Sequence, residues 1–235
     1  MRICIISDLH ANFEALAALP RDYDELWVLG DLVNYGPDPA ATIDFIRAHA
    51  AAVIRGNHDH SVGFDVDCGC SPRFRTMAEE TRGYTASVIS AADKRYLHDL
   101  PTSMSREADG KSFYLCHATP SDPLYEYRKP DSALWDQVEA AGAGADILLC
   151  GHTHLQFSRA AGARIVVNPG SLGQSKAGDP RARYAIWDNG RLELCAFEYP
   201  REKTIEKILA LPVSGAVKRD LIQVLRTGTV PSAPN

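Results

Sequence analysis

No apolar run in this 235-residue sequence approaches the ~20 residues that span a bilayer, so no transmembrane helix is expected. Long blocks of one charge are absent as well. Lys and Arg number 25 against 30 Asp and Glu, a net charge of −5 spread along the chain. That balance excludes a surface built to neutralise many phosphates of a long nucleic acid, though it permits a local site for one or two. Only six cysteines occur, and no two pairs stand at zinc-finger spacing. Cys4, Cys116, Cys150 and Cys195 lie in or beside apolar runs and read as small buried hydrophobes. Cys68-Gly69-Cys70 reads as an inert loop, with a redox pair or half a metal clip as the alternatives. Internal repeats, a glycine-rich phosphate loop and a Gly-x-Ser-x-Gly nucleophile elbow are all missing. The run Ile3–Ile6 is too short for a signal peptide, and cytoplasm is the expected compartment.

What remains is a globular composition, 45% hydrophobic and 23% charged, sufficient for a core without disulfide or metal staples. Continuous apolar runs at Ile3–Ile6, Leu26–Leu29, Ala52–Ile54, Phe113–Cys116, Ile147–Cys150 and Ile165–Val167 predict strands covered on both faces. Helix starts stand between them. Asn12 caps a helix to Leu19, Asp38-Pro39 opens one over Ala40–Ala50, and Ser90 with Asp93 forms a capping box for one ending at Leu97. A further helix is predicted over Ser132–Ala141. Asn189-Gly190 joins Tyr184–Asp188 to Leu192–Tyr199 as a hairpin, and two helices follow over Arg201–Leu211 and Ser214–Arg226. The expectation is one α/β domain over 1–226, an insertion at 61–90 with a polar helix from about Phe74, and a frayed tail at 227–235.

The polar residues that carry chemistry fall where apolar runs end. Ile3–Ile6 leads into Asp8-Leu9-His10, Leu26–Leu29 into Gly30-Asp31, and Ala52–Ile54 into Arg55-Gly56-Asn57-His58-Asp59. Phe113–Cys116 ends at His117, and Ile147–Cys150 at Gly151-His152-Thr153-His154. Ligand sites in open α/β sheets gather at the carboxyl ends of strands. Asp8 and His10 are two apart, so an extended backbone would aim both the same way. Carboxylate, amide and imidazole donors without a thiolate suit Mn, Fe, Zn or Co better than Ca or Mg. A lone strand-end histidine is usually structural; five of them in one chain point to a clustered metal site.

In that order, Asp8-x-His10, Gly30-Asp31, Gly56-Asn57-His58-Asp59, His117 and Gly151-His152-Thr153-His154 resemble the calcineurin-like metallophosphoesterase superfamily over about residues 1–175. The resemblance implies two mixed β-sheets packed as a sandwich between helices. It also implies two divalent transition-metal ions, Mn, Fe, Zn or Ni. Asp8, His10, Asp31 and His154 would hold the first, with Asp31 bridging to a second held by Asn57, His117 and His152. His58 matches the family's catalytic histidine, and Asp59 would support its loop. Asn168-Pro169-Gly170-Ser171 resembles a loop whose backbone lies near the metals in small bacterial members. The implied reaction is in-line attack of a hydroxide held between the metals on a small phosphodiester or nucleotide-type phosphoester. Protein phosphatase or dinucleoside tetraphosphatase activity is the alternative, and a protein-binding scaffold is the non-enzymatic one.

The run Gly30-Asp31-Leu32-Val33-Asn34-Tyr35-Gly36-Pro37 departs from the tetraphosphatase-like and protein-phosphatase-like pattern at two positions. Tyr35 replaces an arginine that grips phosphate, and Asn34 replaces the aspartate that protein phosphatases pair with the catalytic histidine. Asn34, Tyr35 and Arg55 are the substrate-contact candidates. Lys176, Arg181 and Arg183 read as solvated surface unless they meet substrate phosphate.

Overall fold

The computed structural model of the protein describes residues 1–140 and 144–230, the side chains of 137–140 excepted. Among the described residues, ten strands form two five-stranded mixed sheets. The first holds β1 (Arg2–Ile6), β2 (Glu25–Val28), β3 (Ala52–Val53), β9 (Ala182–Asp188) and β10 (Arg191–Phe197), in the order β10-β9-β1-β2-β3. The second holds β4 (Ser103–Ala108), β5 (Lys111–Cys116), β6 (Ile147–Leu149), β7 (Phe157–Ala161) and β8 (Arg164–Asn168), in the order β4-β5-β6-β8-β7. The pairs β1–β2, β2–β3, β5–β6 and β6–β8 are parallel. The pairs β1–β9, β9–β10, β4–β5 and β7–β8 are antiparallel.

Alternation along β1 and β2 sorts the core into layers. Ile3, Ile5 and Trp27 face the other sheet, meeting Phe113, Leu115, Ile147 and Leu149. The Trp27 and Phe113 rings meet edge to face at 5.2 Å. Cys4, Ile6, Leu26 and Val28 point the other way, onto Leu16 and Leu19 and onto Ile43 and Ile46. Those residues belong to α1 (Phe13–Ala17) with its flank and to α2 (Pro39–His49). Each fully buried isoleucine or leucine contributes about 1.5–3 kcal/mol of transfer free energy, so both faces of this sheet drive the fold. Trp135, in a 3₁₀ segment over Ala133–Ala140, covers Cys116, Leu148 and Cys150 on the outside of the second sheet. The two sheets with helices on their outer faces are the architecture that the resemblance implied.

The remaining helices are α3 (Asn57–Phe64), α4 (Arg75–Val88), α5 (Ala91–Asp99), α6 (Arg201–Ala210) and α7 (Gly215–Thr227). Ser90 and Asp93 cap α5 reciprocally, as their spacing predicted. Asn189 and Gly190 take φ of +48° and +88°, the left-handed pair that a two-residue hairpin turn needs. α4 packs Met77 and Ala78 against Ile205, Ile208 and Leu221 of α6 and α7, which places residues 61–90 beside the strand ends. The predicted helix over Ser132–Ala141 is the 3₁₀ segment, and Ala141 lies outside the described residues, as do 231–235 of the tail.

Two strands escape the apolar-run reading, β4 and β7. Both are antiparallel edges with exposed positions along their length, so neither sequence carries a continuous apolar run. Asn57-His58-Asp59 is the first turn of α3 rather than a loop. Among the described residues no helix is long and apolar enough to cross a membrane.

Candidate metal centre

Five of the metal-ligand candidates leave the backbone at left-handed residues: Asp8 (φ +54°), His10 (+46°), Asp31 (+55°), His152 (+63°) and His154 (+61°). Such a cluster of non-glycine residues in that region costs of order 1–3 kcal/mol each, and it concentrates where a site over-determines the chain. The expectation that an extended backbone aims Asp8 and His10 together is corrected here. Both residues lie past the end of β1 and converge through left-handed turns.

Three imidazoles are locked by carbonyls behind them. The Nδ1–H groups of His10, His117 and His154 donate to Val33 O (3.2 Å), Leu29 O (2.7 Å) and Gln174 O (2.5 Å). A backbone carbonyl can only accept, so each ring is fixed with Nε2 turned inward, the second-sphere arrangement of metal-ligating histidines. Asp31 Oδ2 lies between two of them, 3.7 Å from His10 Nε2 and 3.3 Å from His117 Nε2. Asp31 Oδ1 accepts the His58 backbone N–H at 2.9 Å. Asn57 turns Oδ1 to within 3.1 Å of His117 Nε2 and donates its Nδ2 to Cys68 O at 2.8 Å. Asp8, His10 and His154 offer donor atoms within 4.8 Å of one another, as do Asp8, Asp31 and His117. His152 stands apart from both groups on the cleft side, its ring 5.1 Å from that of His117.

The charges show that this donor set fits cations. Both carboxylate oxygens of Asp8 are buried and accept no hydrogen bond among the described residues. Burial, reinforced by the Asp31 charge, pushes Asp8 up to about 7. Burial alone would lower His117, but Asp31, with Asp8 and the Leu29 carbonyl, outweighs it and raises this imidazole to about 9. Burial holds His10 and His154 well below their ordinary value, hence neutral and free to ligate. Lys176, half-buried in the cleft wall, brings its ammonium 3.3 Å from His154 Nε2. The protein thus gathers its own positive charge around Asp8 and Asp31, where the donors present suit transition-metal dications.

Gly56 permits the central contact. A Cβ at this position would stand 2.1 Å from Asp31 Oδ1. Asp59, three residues on, accepts Gly56 N–H at 3.0 Å and Leu32 N–H at 2.8 Å, tying the α3 start to the Asp31 loop. His58 is buried, and burial lowers its imidazole to about 4. Asn34 Nδ2 donates to His58 Nδ1 at 3.1 Å, which leaves the neutral ring's proton on Nε2.

Of the substrate-contact candidates, only Tyr35 lines the cleft. Asn34 is buried behind His58 and positions it. Arg55 is turned elsewhere: its guanidinium donates to His98 O and packs on the Phe64 ring at 4.8 Å. Arg181 and Arg183 are tied to Asp179. The cleft itself has a volume of about 630 Å³ and is walled by Tyr35, Phe74, Tyr125, Tyr127 and Lys176. Beyond Tyr35, the aromatic part of this wall was not legible in the sequence, because isolated aromatic residues carry no periodic signal. Cys68 and Cys70, read as an inert loop, are joined by a disulfide.

Residues 1–190 match the model of the calcineurin-like phosphoesterase superfamily domain. An uncharacterized protein of Methanocaldococcus jannaschii is 30% identical over 230 residues, covering 88% of this chain and 91% of the relative. A symmetrical bis(5'-nucleosyl)-tetraphosphatase of Vibrio campbellii is 29% identical over 134 residues, 54% of this chain. The match spans only 47% of that tetraphosphatase. Among solved structures, a metallophosphoesterase from Sphaerobacter thermophilus superposes with a TM-score of 0.80 at 27% identity, over 97% of this chain and 99% of the other. A hypothetical protein from Pyrococcus horikoshii has the same fold, with a TM-score of 0.84 at 18% identity over 98% and 99% of the two chains. With the strand-end donor set and both sheets accounted for, the chain belongs to the calcineurin-like phosphoesterase superfamily, as a hydrolase of phosphoester bonds.

Proposed function

We propose that this hydrolase works with two divalent cations on a small phosphodiester or nucleotide-type phosphoester. The observation that carries the reading is the pairing of locked imidazoles with carboxylates: three Nε2 atoms fixed inward around Asp8 and Asp31. Asp8, His10, Asp31 and His154 are assigned to one cation, and Asp31, Asn57, His117 and His152 to the other. Two dications against two carboxylates leave a net positive site, opposite in sign to the −5 of the whole chain. Cations bound there would supply Lewis acidity toward phosphate oxygens and activate water as a nucleophile.

The chain's own residues supply the rest. His58, kept neutral by burial, presents an Nε2 proton that can pass to the leaving oxygen, and Asn34 maintains that tautomer. Asp59 holds the first turn of α3, which carries His58, in register with Asp31. Lys176 and the aromatic wall face the cleft, where an ammonium suits a second phosphate and ring faces suit a planar base. This supports a small nucleotide-like substrate over a phosphoprotein.

The test is a panel of bis-p-nitrophenyl phosphate, mononucleotides, cyclic nucleotides, a dinucleoside tetraphosphate and a phosphoprotein, run on Mn²⁺-loaded protein. Hydrolysis of small diesters or nucleotides that EDTA abolishes is the expected result. Preferential cleavage of the dinucleoside tetraphosphate would favour the activity named for the Vibrio relatives. A phosphoprotein preference would overturn the substrate reading.

A further inference from the structure

Cys68 and Cys70 form a disulfide two residues apart in sequence, and Cys70 lines the cleft. A crosslink stabilises by restricting the unfolded chain, and the restriction is least for the shortest loops. A ring spanning one intervening glycine is therefore a poor staple. Its position is more informative. The Cys68 carbonyl accepts Asn57 Nδ2 at 2.8 Å, and this bond aims Asn57 Oδ1 at His117. Cys70 Sγ lies 3.6 Å from His58 Nε2 and 3.8 Å from the Tyr35 hydroxyl. One sulfur thus touches the proposed acid, while its partner's backbone orients a proposed ligand. Cys70 is only half-buried, so a small thiol entering the cleft can reach it. Accessible, weakly structural disulfides are the exchangeable ones.

We propose that Cys68–Cys70 is a thiol–disulfide exchange site that sets how tightly the centre grips the cation assigned to Asn57. The inference rests on the metal-centre reading above. In the exchange, a thiolate of a small dithiol attacks Cys70 Sγ. The Cys68–Cys70 bond breaks, and Cys68 leaves as a thiolate that takes up a proton. The second thiolate of the reductant then displaces Cys70, which is protonated in turn. Two electrons pass to the protein, and the dithiol departs as its own disulfide. Once the ring is open, the Cys68 carbonyl is no longer held in place, and Asn57 loses the partner that orients it. Loss of such an outer partner typically weakens metal affinity 10–100-fold.

The experiment uses the full chain, stripped of metal, and titrates Mn²⁺ while free Mn²⁺ is followed by its paramagnetic resonance signal. Cysteines are counted in parallel by alkylation and mass spectrometry. Equilibrated with oxidised glutathione, the protein should show four alkylatable cysteines, Cys4, Cys116, Cys150 and Cys195. After a dithiol is applied and removed, all six should react. Mn²⁺ affinity at one of the two assigned sites should fall about tenfold or more on reduction, and Asn57→Ala should weaken the same binding step. Cys68→Ser with Cys70→Ser should match the reduced form and ignore redox treatment. Six reactive cysteines under oxidising conditions, or equal affinities in both states, would overturn the proposal. Redox-dependent affinity without hydrolysis of any substrate would instead strike the functional reading and leave this one standing.

Discussion

His10 and His154 face each other across 3.1 Å, Nε2 to Nε2, with each ring's Nδ1–H already given to a backbone carbonyl. Neither nitrogen has a proton to offer the other, and the Lys176 ammonium, 3.3 Å from His154 Nε2, is the donor beside them. The cation proposed at this site would turn the apposition into shared ligation. Binding to the folded state alone adds about 2.7 kcal/mol at a hundredfold excess over Kd. For a chain of this size that is on the order of 5–10 °C in Tm. Saturating Mn²⁺ should raise the wild-type melting temperature by that amount. His154→Ala should lose most of the rise while the metal-free protein melts at or above the wild-type temperature. An unchanged Mn²⁺ response in His154→Ala contradicts the ligand assignment.

His58 is a different case, since it is assigned to proton transfer. His58→Ala should keep the Mn²⁺-induced melting shift and lose turnover by about 10²–10⁴-fold, the contribution of a placed general acid. Retained activity would remove His58 from the mechanism. Loss of the melting shift would make it a ligand.

The approach of α3 to the Asp31 loop leaves no space at Gly56, where a Cβ would lie 2.1 Å from Asp31 Oδ1 and 2.4 Å from Asp31 N. Gly56→Ala must push the two segments apart, which costs about 1–3 kcal/mol for an overpacked contact. A urea titration should show a lower midpoint with an unchanged slope, together with weakened Mn²⁺ binding. A midpoint equal to wild type contradicts the packing described.

Away from the centre, Asp146 fastens the starts of β5 and β6. Its Oδ2 accepts the Ser112 N–H and Oγ–H, both at 2.9 Å, and Lys111 stands 3.3 Å from Oδ1. The Ser112 bonds foremost, then Lys111, hold this carboxyl down at about 2. A carboxyl depressed on folding stabilises above its unfolded value of about 3.9 and loses that contribution as pH falls through its folded value. The Tm gap between wild type and Asp146→Asn should therefore be full above pH ~4 and close toward pH ~2. A gap independent of pH rules out the charge as its source.

Much of this was legible in the chain because buried strands and their ends write themselves plainly. Ile3–Ile6 and Ile147–Cys150 are covered on both faces, so their runs are unbroken and their polar successors stand out. Edge strands β4 and β7 wet one face and dissolve into an ordinary mixed pattern. The convergence of Asp8 with His10 was anticipated for the wrong reason: pleat alternation suggested it, and left-handed backbone produces it. Lys176 looked like surface, since nothing local to it announces that Asp8 and Asp31 lie across the fold. Arg55 stood as a candidate phosphate contact for its charge, and the Phe64 ring and His98 carbonyl claim it instead.

The most direct measurement is the number of metal ions each chain retains. After loading with Mn²⁺ and exhaustive dialysis, elemental analysis should find two ions per wild-type chain. Asp31→Asn, altered at the oxygen that faces both His10 and His117, should retain fewer than one and be inactive. Full turnover in protein stripped to no metal, or two ions held as firmly by Asp31→Asn, would contradict the centre described.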